Sequence, residues 1–93
     1  MNRAVIEADI EAGLVECSVP AHLRDGLRGY FLYRQPTGDF LRAALANDFA
    51  GAVLRADPIT ERGLHGLAQF LQNFAPERAH GSPAKVAAWL AAA

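Results

Sequence analysis

A chain of 93 residues is long enough for one domain, and its hydrophobic share of 52% is enough for one core. Nine basic and ten acidic residues leave a formal net charge of −1, which argues against a protein that grips nucleic acid by charge alone. The single cysteine, Cys17, allows no internal disulfide, so a reducing, cytoplasmic location is expected. Charged residues interrupt every apolar run, so neither a signal peptide nor a membrane span is expected.

The first two predicted helices are amphipathic. Residues 3–15 carry isoleucine and leucine at four-residue spacing between acidic side chains, which is typical of a helix with one buried face. Pro20 suits the first turn of a second helix over 20–34. The turn-forming sequence of residues 35–38 ends it.

Two long helices are predicted in the middle of the chain. Residues 40–56 are apolar nearly all the way round, which is typical of a helix at the centre of a bundle. Asp57 and Pro58 then form a cap and a first-turn proline, and they predict a helix over 58–74.

A serine–proline pair predicts a short closing helix over 83–90, and no segment alternates with the period of a strand. The expected fold is therefore all-α, a small bundle of about five helices with at least two-thirds of its residues helical. We expect one helical domain over residues 1–93. Within it, 1–18 forms an N-terminal helix that is loosely attached, and 19–90 forms the core.

Glycines inside the predicted helices lower helix stability and need a reason. They are Gly26, Gly29, Gly51, Gly63 and Gly66. Three interpretations remain open at this point: close crossing of helices, a smooth groove for a ligand or partner, or a break in the predicted helix.

A polar pair, Asn47 and Asp48, interrupts the apolar helix predicted over 40–56. Helical spacing places Asp48 on the stripe of Leu41 and Leu45, where an unpaired carboxylate would be costly. We therefore predict a polar network that fixes the helix register, with a binding-site role as the alternative. Its candidate members are Asn47, Asp48, Arg28, Tyr30 and Arg62, with Arg34, Tyr33 or a helix N-terminus as further possible partners of Asp48.

No catalytic, metal or nucleotide motif is recognisable in the sequence. The histidines and Cys17 lack the tight ligand pairs of a zinc site, and no glycine-rich phosphate loop occurs. We expect no enzymatic activity, no catalytic residue, no metal and no cofactor. A helix-turn-helix around Asp57 and Pro58 is an alternative, although acidic residues balance the basic ones throughout. Its recognition helix would present Arg62, His65, Gln69, Gln72 and Asn73.

Several short motifs follow one another along the chain: Val19-Pro20, Gly29-Tyr30, Pro36-Thr37-Gly38-Asp39-Phe40-Leu41, Leu45, Asn47-Asp48, Ala56-Asp57, Ala75-Pro76, and Gly81-Ser82 followed by Trp89. This ordered series resembles a family of short, uncharacterised proteins encoded by phages and prophages. The resemblance covers about residues 19–90. In the family an aromatic residue commonly precedes the Gly-Ser step, where this chain has His80.

The resemblance implies a phage or prophage origin, and small proteins of that kind often act by stoichiometric binding. We therefore expect a non-enzymatic accessory protein that binds a host or phage protein, for example as an inhibitor or in counter-defence. The low charged share of 20% also favours an apolar surface and a homo-oligomer, most simply a dimer. A binder that sequesters a small-molecule nucleotide signal and a DNA-binding regulator are the alternatives, but nucleic acid is not the expected partner.

Overall fold

Residues 3–92 are described in the computed structural model of the chain, with side chains from residue 4 onward. The described part contains seven α-helices and one 3₁₀ turn at Glu77–Ala79, and none of its residues lies in a strand. The helices are α1 Arg3–Glu16, α2 Ala21–Tyr33, α3 Asp39–Leu45, α4 Phe49–Arg55, α5 Pro58–Arg62, α6 Leu64–Asn73 and α7 Pro83–Ala91. About three-quarters of the residues are helical, which confirms the all-α prediction. The predicted count of about five helices was too low.

The extra helices arise because both long central helices are broken. The helix predicted over 40–56 divides into α3 and α4, and the one predicted over 58–74 divides into α5 and α6. Gly63 ends α5 and precedes α6, and a β-carbon there would collide with the ring of Pro20 at the start of α2. The apolar spacing runs through both breaks, so periodicity alone does not reveal them.

Short side chains cap three of the helices, and two of these caps, Asp57 and Ser82, stand where the sequence predicts a helix start. The Asp57 carboxylate accepts from the backbone N–H of Thr60 at 2.7 Å, and the Ser82 hydroxyl accepts from that of Lys85 at 3.1 Å. Both capped positions are followed by a proline in the first turn, as predicted.

One contiguous hydrophobic core joins the helices, within a molecule whose radius of gyration is 12.1 Å. The largest side chains in it with less than 2% exposure are Tyr30, Phe70, Ile10, Leu14, Leu27, Leu45, Leu67 and Val19. Two of these belong to α1, which contacts α2 and α6. Through Ile10 and Leu14, α1 therefore contributes to the hydrophobic core.

The crossing of α6 over the end of α1 explains one of the glycines. A β-carbon on Gly66 would collide with the backbone carbonyl oxygen of Cys17. Backbone lies against backbone here, so neither side can move aside as a flexible side chain would. Close helix crossing therefore accounts for Gly66, whereas at Gly63 the predicted helix is broken.

The last helix is attached to the rest through Trp89 and Tyr30. The Tyr30 hydroxyl donates to the carbonyl of Ala79 at 2.6 Å, and the Trp89 indole N–H donates to the carbonyl of Tyr30 at 2.8 Å. The guanidinium of Arg34 lies 3.4 Å from the centre of the Trp89 ring and donates to the Trp89 carbonyl at 3.0 Å. These contacts hold α7 against the C-terminal end of α2.

Candidate functional site

The polar pair lies in the turn between α3 and α4, so the prediction of a buried Asp48 within one helix was wrong. Asn47 adopts the left-handed conformation with φ 66°, and Asp48 is the exposed N-cap of α4. The Asp48 carboxylate accepts from the backbone N–H of Gly51 at 3.0 Å. An aspartate at an N-cap accepts a hydrogen bond from a backbone N–H that has no partner within the helix. This local bond favours a new helix start at Asp48 over one continuous helix. A β-carbon on Gly51 would collide with that carboxylate.

The other predicted members of the polar network lie in separate places. Arg28 donates to both carboxylate oxygens of Glu11, at 2.6 and 3.0 Å, and to Asp25 at 2.8 Å. This bidentate bond lowers the pKa of the Glu11 carboxyl and raises that of Arg28. Burial raises the pKa of the Tyr30 phenol to about 12. Arg62 is exposed at the end of α5. Among the described residues, no hydrogen bond or ion pair joins Asn47 or Asp48 to Arg28, Tyr30 or Arg62.

A cleft of about 370 Å³ opens beside the turn that holds Asn47. Its wall comes from α3, the start of α4, α6 and the segment that leads into α7. The apolar part consists of Ala44, Phe49, Ala68 and Leu71. Cavities of this volume with a mainly apolar base and a few polar groups are typical small-molecule sites.

The rim of the cleft is polar and carries both signs of charge. The rim side chains are Asn47, Gln72, Glu77, His80 and Lys85. Glu77 and Lys85 also line a second cavity of about 400 Å³ on the outside of the 3₁₀ turn. Neither of them forms an ion pair with another described residue. The Lys85 ammonium lies 3.4 Å from the backbone carbonyl oxygen of Glu77.

His80 is the rim residue whose protonation the fold controls. Burial and the nearby Lys85 ammonium lower the pKa of its imidazole, against the opposing effects of Glu77 and a hydrogen bond with the backbone of Leu71. The ring is therefore neutral at pH 7. Its Nε2 atom is buried without a hydrogen-bond partner among the described residues. Such a group costs about 1–3 kcal/mol, which is a cost that folds usually avoid outside functional sites.

The backbone brings together two motifs that are far apart in the sequence. The N–H of Gly81, with φ 111°, donates to the carbonyl of Leu45 at 2.7 Å. This bond brings His80 and Gly81 close to the end of α3, and both line the same cleft as Asn47. Sequence reasoning missed Glu77 and Lys85 altogether, since they lie in a polar loop and on a short helix. The sequence signals near the cleft were two motifs of the ordered series, Asn47-Asp48 and Gly81-Ser82, together with His80 before the second.

His22 and Thr60 lie within hydrogen-bond distance, as a base and a nucleophile would, but the Thr60 hydroxyl is buried. His22 Nε2 lies 2.7 Å from Thr60 Oγ1, and the Thr60 N–H lowers the pKa of the Asp57 carboxyl that accepts from it. Thr60 is only 3% exposed, so its hydroxyl cannot reach a substrate in this conformation. The pair instead fastens α2 to α5.

The α4–α5 face contains Leu54, the most exposed large hydrophobic side chain among the described residues. We use this name for Leu54, Ile59 and Val53, which are 86%, 64% and 46% exposed. They follow closely in the chain at the junction of two short helices. Three exposed large aliphatic side chains within seven consecutive residues favour an interaction surface more strongly than single scattered ones do.

Comparisons with protein-family models, with curated proteins and with solved structures yield no match for this chain. The resemblance to phage proteins therefore stays a prediction. Within the described residues, no group of three or more histidine, cysteine, aspartate or glutamate side chains has the arrangement of a metal site. In the same part of the chain, no helix combines the length and the apolarity that a membrane crossing requires.

Proposed function

We propose that this chain is a non-enzymatic, phage-type accessory protein that acts by stoichiometric binding to a host or phage protein. The observation that carries the proposal is the α4–α5 face, where Leu54 and Ile59 expose most of their apolar surface. Burying such side chains in an interface gives about 25 cal/mol for each Å² removed from water, before the cost of association. The same face serves a second copy of the chain when no other partner is present.

Charges around the face support binding to a protein. Arg55 and Arg62 are exposed beside it, and so are Asp57 and Glu61. An apolar centre with a rim of mixed charge is the usual anatomy of a protein–protein interface. A nucleic-acid surface would instead need an excess of basic residues.

The test is affinity capture from a bacterial lysate, followed by titration of the captured protein in purified form. The test variant is Leu54→Ser combined with Ile59→Ser, and Val5→Ser is the matched control, because Val5 is 54% exposed on α1. We expect the native chain and the control to bind the same protein at a fixed molar ratio, and the double variant to lose it. Binding that survives the double variant would remove the α4–α5 face from the proposal.

A second candidate function is small-molecule binding, and the cleft of about 370 Å³ beside His80 favours it. This candidate uses different residues from the α4–α5 face, so both functions can be tested on the same chain with separate variants.

A further inference from the structure

We infer that the cleft between Asn47 and Lys85 binds a small zwitterion, namely an α-amino acid with an apolar side chain or the equivalent free dipeptide. The inference rests on the small-molecule candidate and names its ligand class. It is independent of protein binding through the α4–α5 face. The features that carry it are two opposite charges on one rim and an apolar base between the same helices.

The two charges of the rim are available to a ligand. Glu77 and Lys85 are both exposed and line the same two cavities. They do not pair with each other, and no other described residue forms an ion pair with either of them. The Lys85 ammonium lies near Gly81, at 3.4 Å from the Glu77 backbone carbonyl oxygen. A ligand carboxylate is attracted to this ammonium and a ligand ammonium to the Glu77 carboxylate.

The base of the cleft is apolar and can pack against an apolar side chain of the ligand. Ala44 and Leu71 are buried, and Phe49 and Ala68 are half-buried, so an apolar group placed there removes further apolar surface from water. A neutral His80 adds no second positive charge at neutral pH. A ligand of one net charge would leave one rim charge unmatched, whereas a zwitterion matches both.

Asn47 and Gln72 could distinguish a dipeptide from a free amino acid. Their amides offer hydrogen-bond donors and acceptors on the same rim, and a dipeptide carries an internal amide that a free amino acid lacks. The charge pairs are common to both ligands. If a dipeptide binds more tightly than the matching free amino acid, the Asn47 and Gln72 amides bind its peptide bond.

The test is NMR titration of the full, isotope-labelled chain, with the amide signals of Leu45 and Gly81 as reporters of the cleft. The probes are leucine, phenylalanine, the dipeptide Leu-Leu, the uncharged analogue N-acetyl-leucine amide, and adenosine monophosphate. We expect saturable shifts at Gly81 with leucine, phenylalanine or the dipeptide, and none with the uncharged analogue. Glu77→Gln and Lys85→Gln should each weaken binding about tenfold, since each removes one charge-assisted hydrogen bond. Glu61→Gln and Arg62→Gln, which change charges on α5 outside the cleft, are the matched controls and should not weaken it.

Three results would overturn the inference. The first is no saturable shift with any of the zwitterions up to about 10 mM ligand, a concentration that would nearly saturate a site with a Kd near 1 mM. The second is equal binding of the uncharged analogue. The third is saturable binding of adenosine monophosphate alone, which would reject the zwitterion and still leave the cleft as a small-molecule site. Both cleft variants change exposed side chains, and circular dichroism of each would establish that it is folded before titration.

Discussion

The hydroxyl of Tyr30 offers a defined test of how α7 is held to the rest of the molecule. Tyr30 is 1% exposed, and its hydroxyl donates to the carbonyl of Ala79, which is itself fully buried. Tyr30→Phe keeps the ring and its packing against Phe31 and Trp89, but it leaves the Ala79 carbonyl without this donor. A buried carbonyl that loses its partner costs about 1–3 kcal/mol.

We expect Tyr30→Phe to lower the free energy of unfolding by that amount, with an unchanged denaturant slope. The melting temperature should fall by about 4–8 °C for each kcal/mol lost in a domain of this size. Urea unfolding followed by the fluorescence of Trp89, the only tryptophan, measures the effect. Thr37→Val is the control, because it removes an exposed hydroxyl, and it should change stability by less than about 0.5 kcal/mol. A Tyr30→Phe variant as stable as the native chain would refute the assignment of this hydrogen bond.

The same residue gives the prediction a pH dependence. The Tyr30 pKa is about 12 in the folded chain, against 10.0 for an unperturbed phenol. Between these values the unfolded chain releases the proton and the folded chain keeps it. The contribution of Tyr30 to the free energy of unfolding is therefore fully present below pH 10. It falls by about 1.4 kcal/mol per pH unit as the pH rises toward 12. The phenylalanine variant lacks this loss, so its stability deficit relative to the native chain should shrink over that range. A constant deficit would contradict the burial of the phenol.

Three further outcomes are expected from the fold and the α4–α5 face. Asp48→Ala should destabilise by about 1 kcal/mol, the usual value of an N-cap, and a loss above about 3 kcal/mol in urea unfolding would mean that Asp48 has a buried role. Gly66→Ala should lower the free energy of unfolding by about 1–3 kcal/mol in calorimetry, because the added β-carbon collides with the Cys17 carbonyl oxygen. Gly26→Ala is the control, since the β-carbon added there contacts only the side chain of Leu41, and its effect should be near zero. Light scattering at high micromolar concentration should show a dimer that Leu54→Ser weakens, and a native monomer there would reject self-association.

The sequence predicts the helix starts of this fold better than its helix breaks. Asp57 and Ser82, each before a proline, were identified as caps because a cap and a first-turn proline reinforce each other. Asp48 is also a cap, but apolar residues surround it at helical spacing, so the periodicity hides the break. Gly63 is hidden for the same reason, since the contact with Pro20 that accompanies its break lies far away in the sequence.

The candidate site was less predictable than the fold. The cleft depends on the hydrogen bond from Gly81 to Leu45, which joins residues 36 positions apart, and no local pattern encodes it. The sequence drew attention to Asn47 and His80 through the motif series, but it could not show that they face one cavity. In the sequence, Glu77 and Lys85 are ordinary exposed charges of a polar loop and a short helix. Only the folded structure shows that both lie on the rim of one cleft.

The attachment of α7 to α2 also bears on the order in which the chain can fold. The contacts of Tyr30 with Ala79 and Trp89 span 49 and 59 residues, and that of Arg34 with Trp89 spans 55. The helices themselves form from local contacts, but closing such long loops costs entropy that only the assembled core repays. During synthesis, Tyr30 therefore lacks its contact with Trp89 until α7 has left the ribosome. Premature termination before Pro83 would leave this aromatic surface uncovered and prone to aggregation.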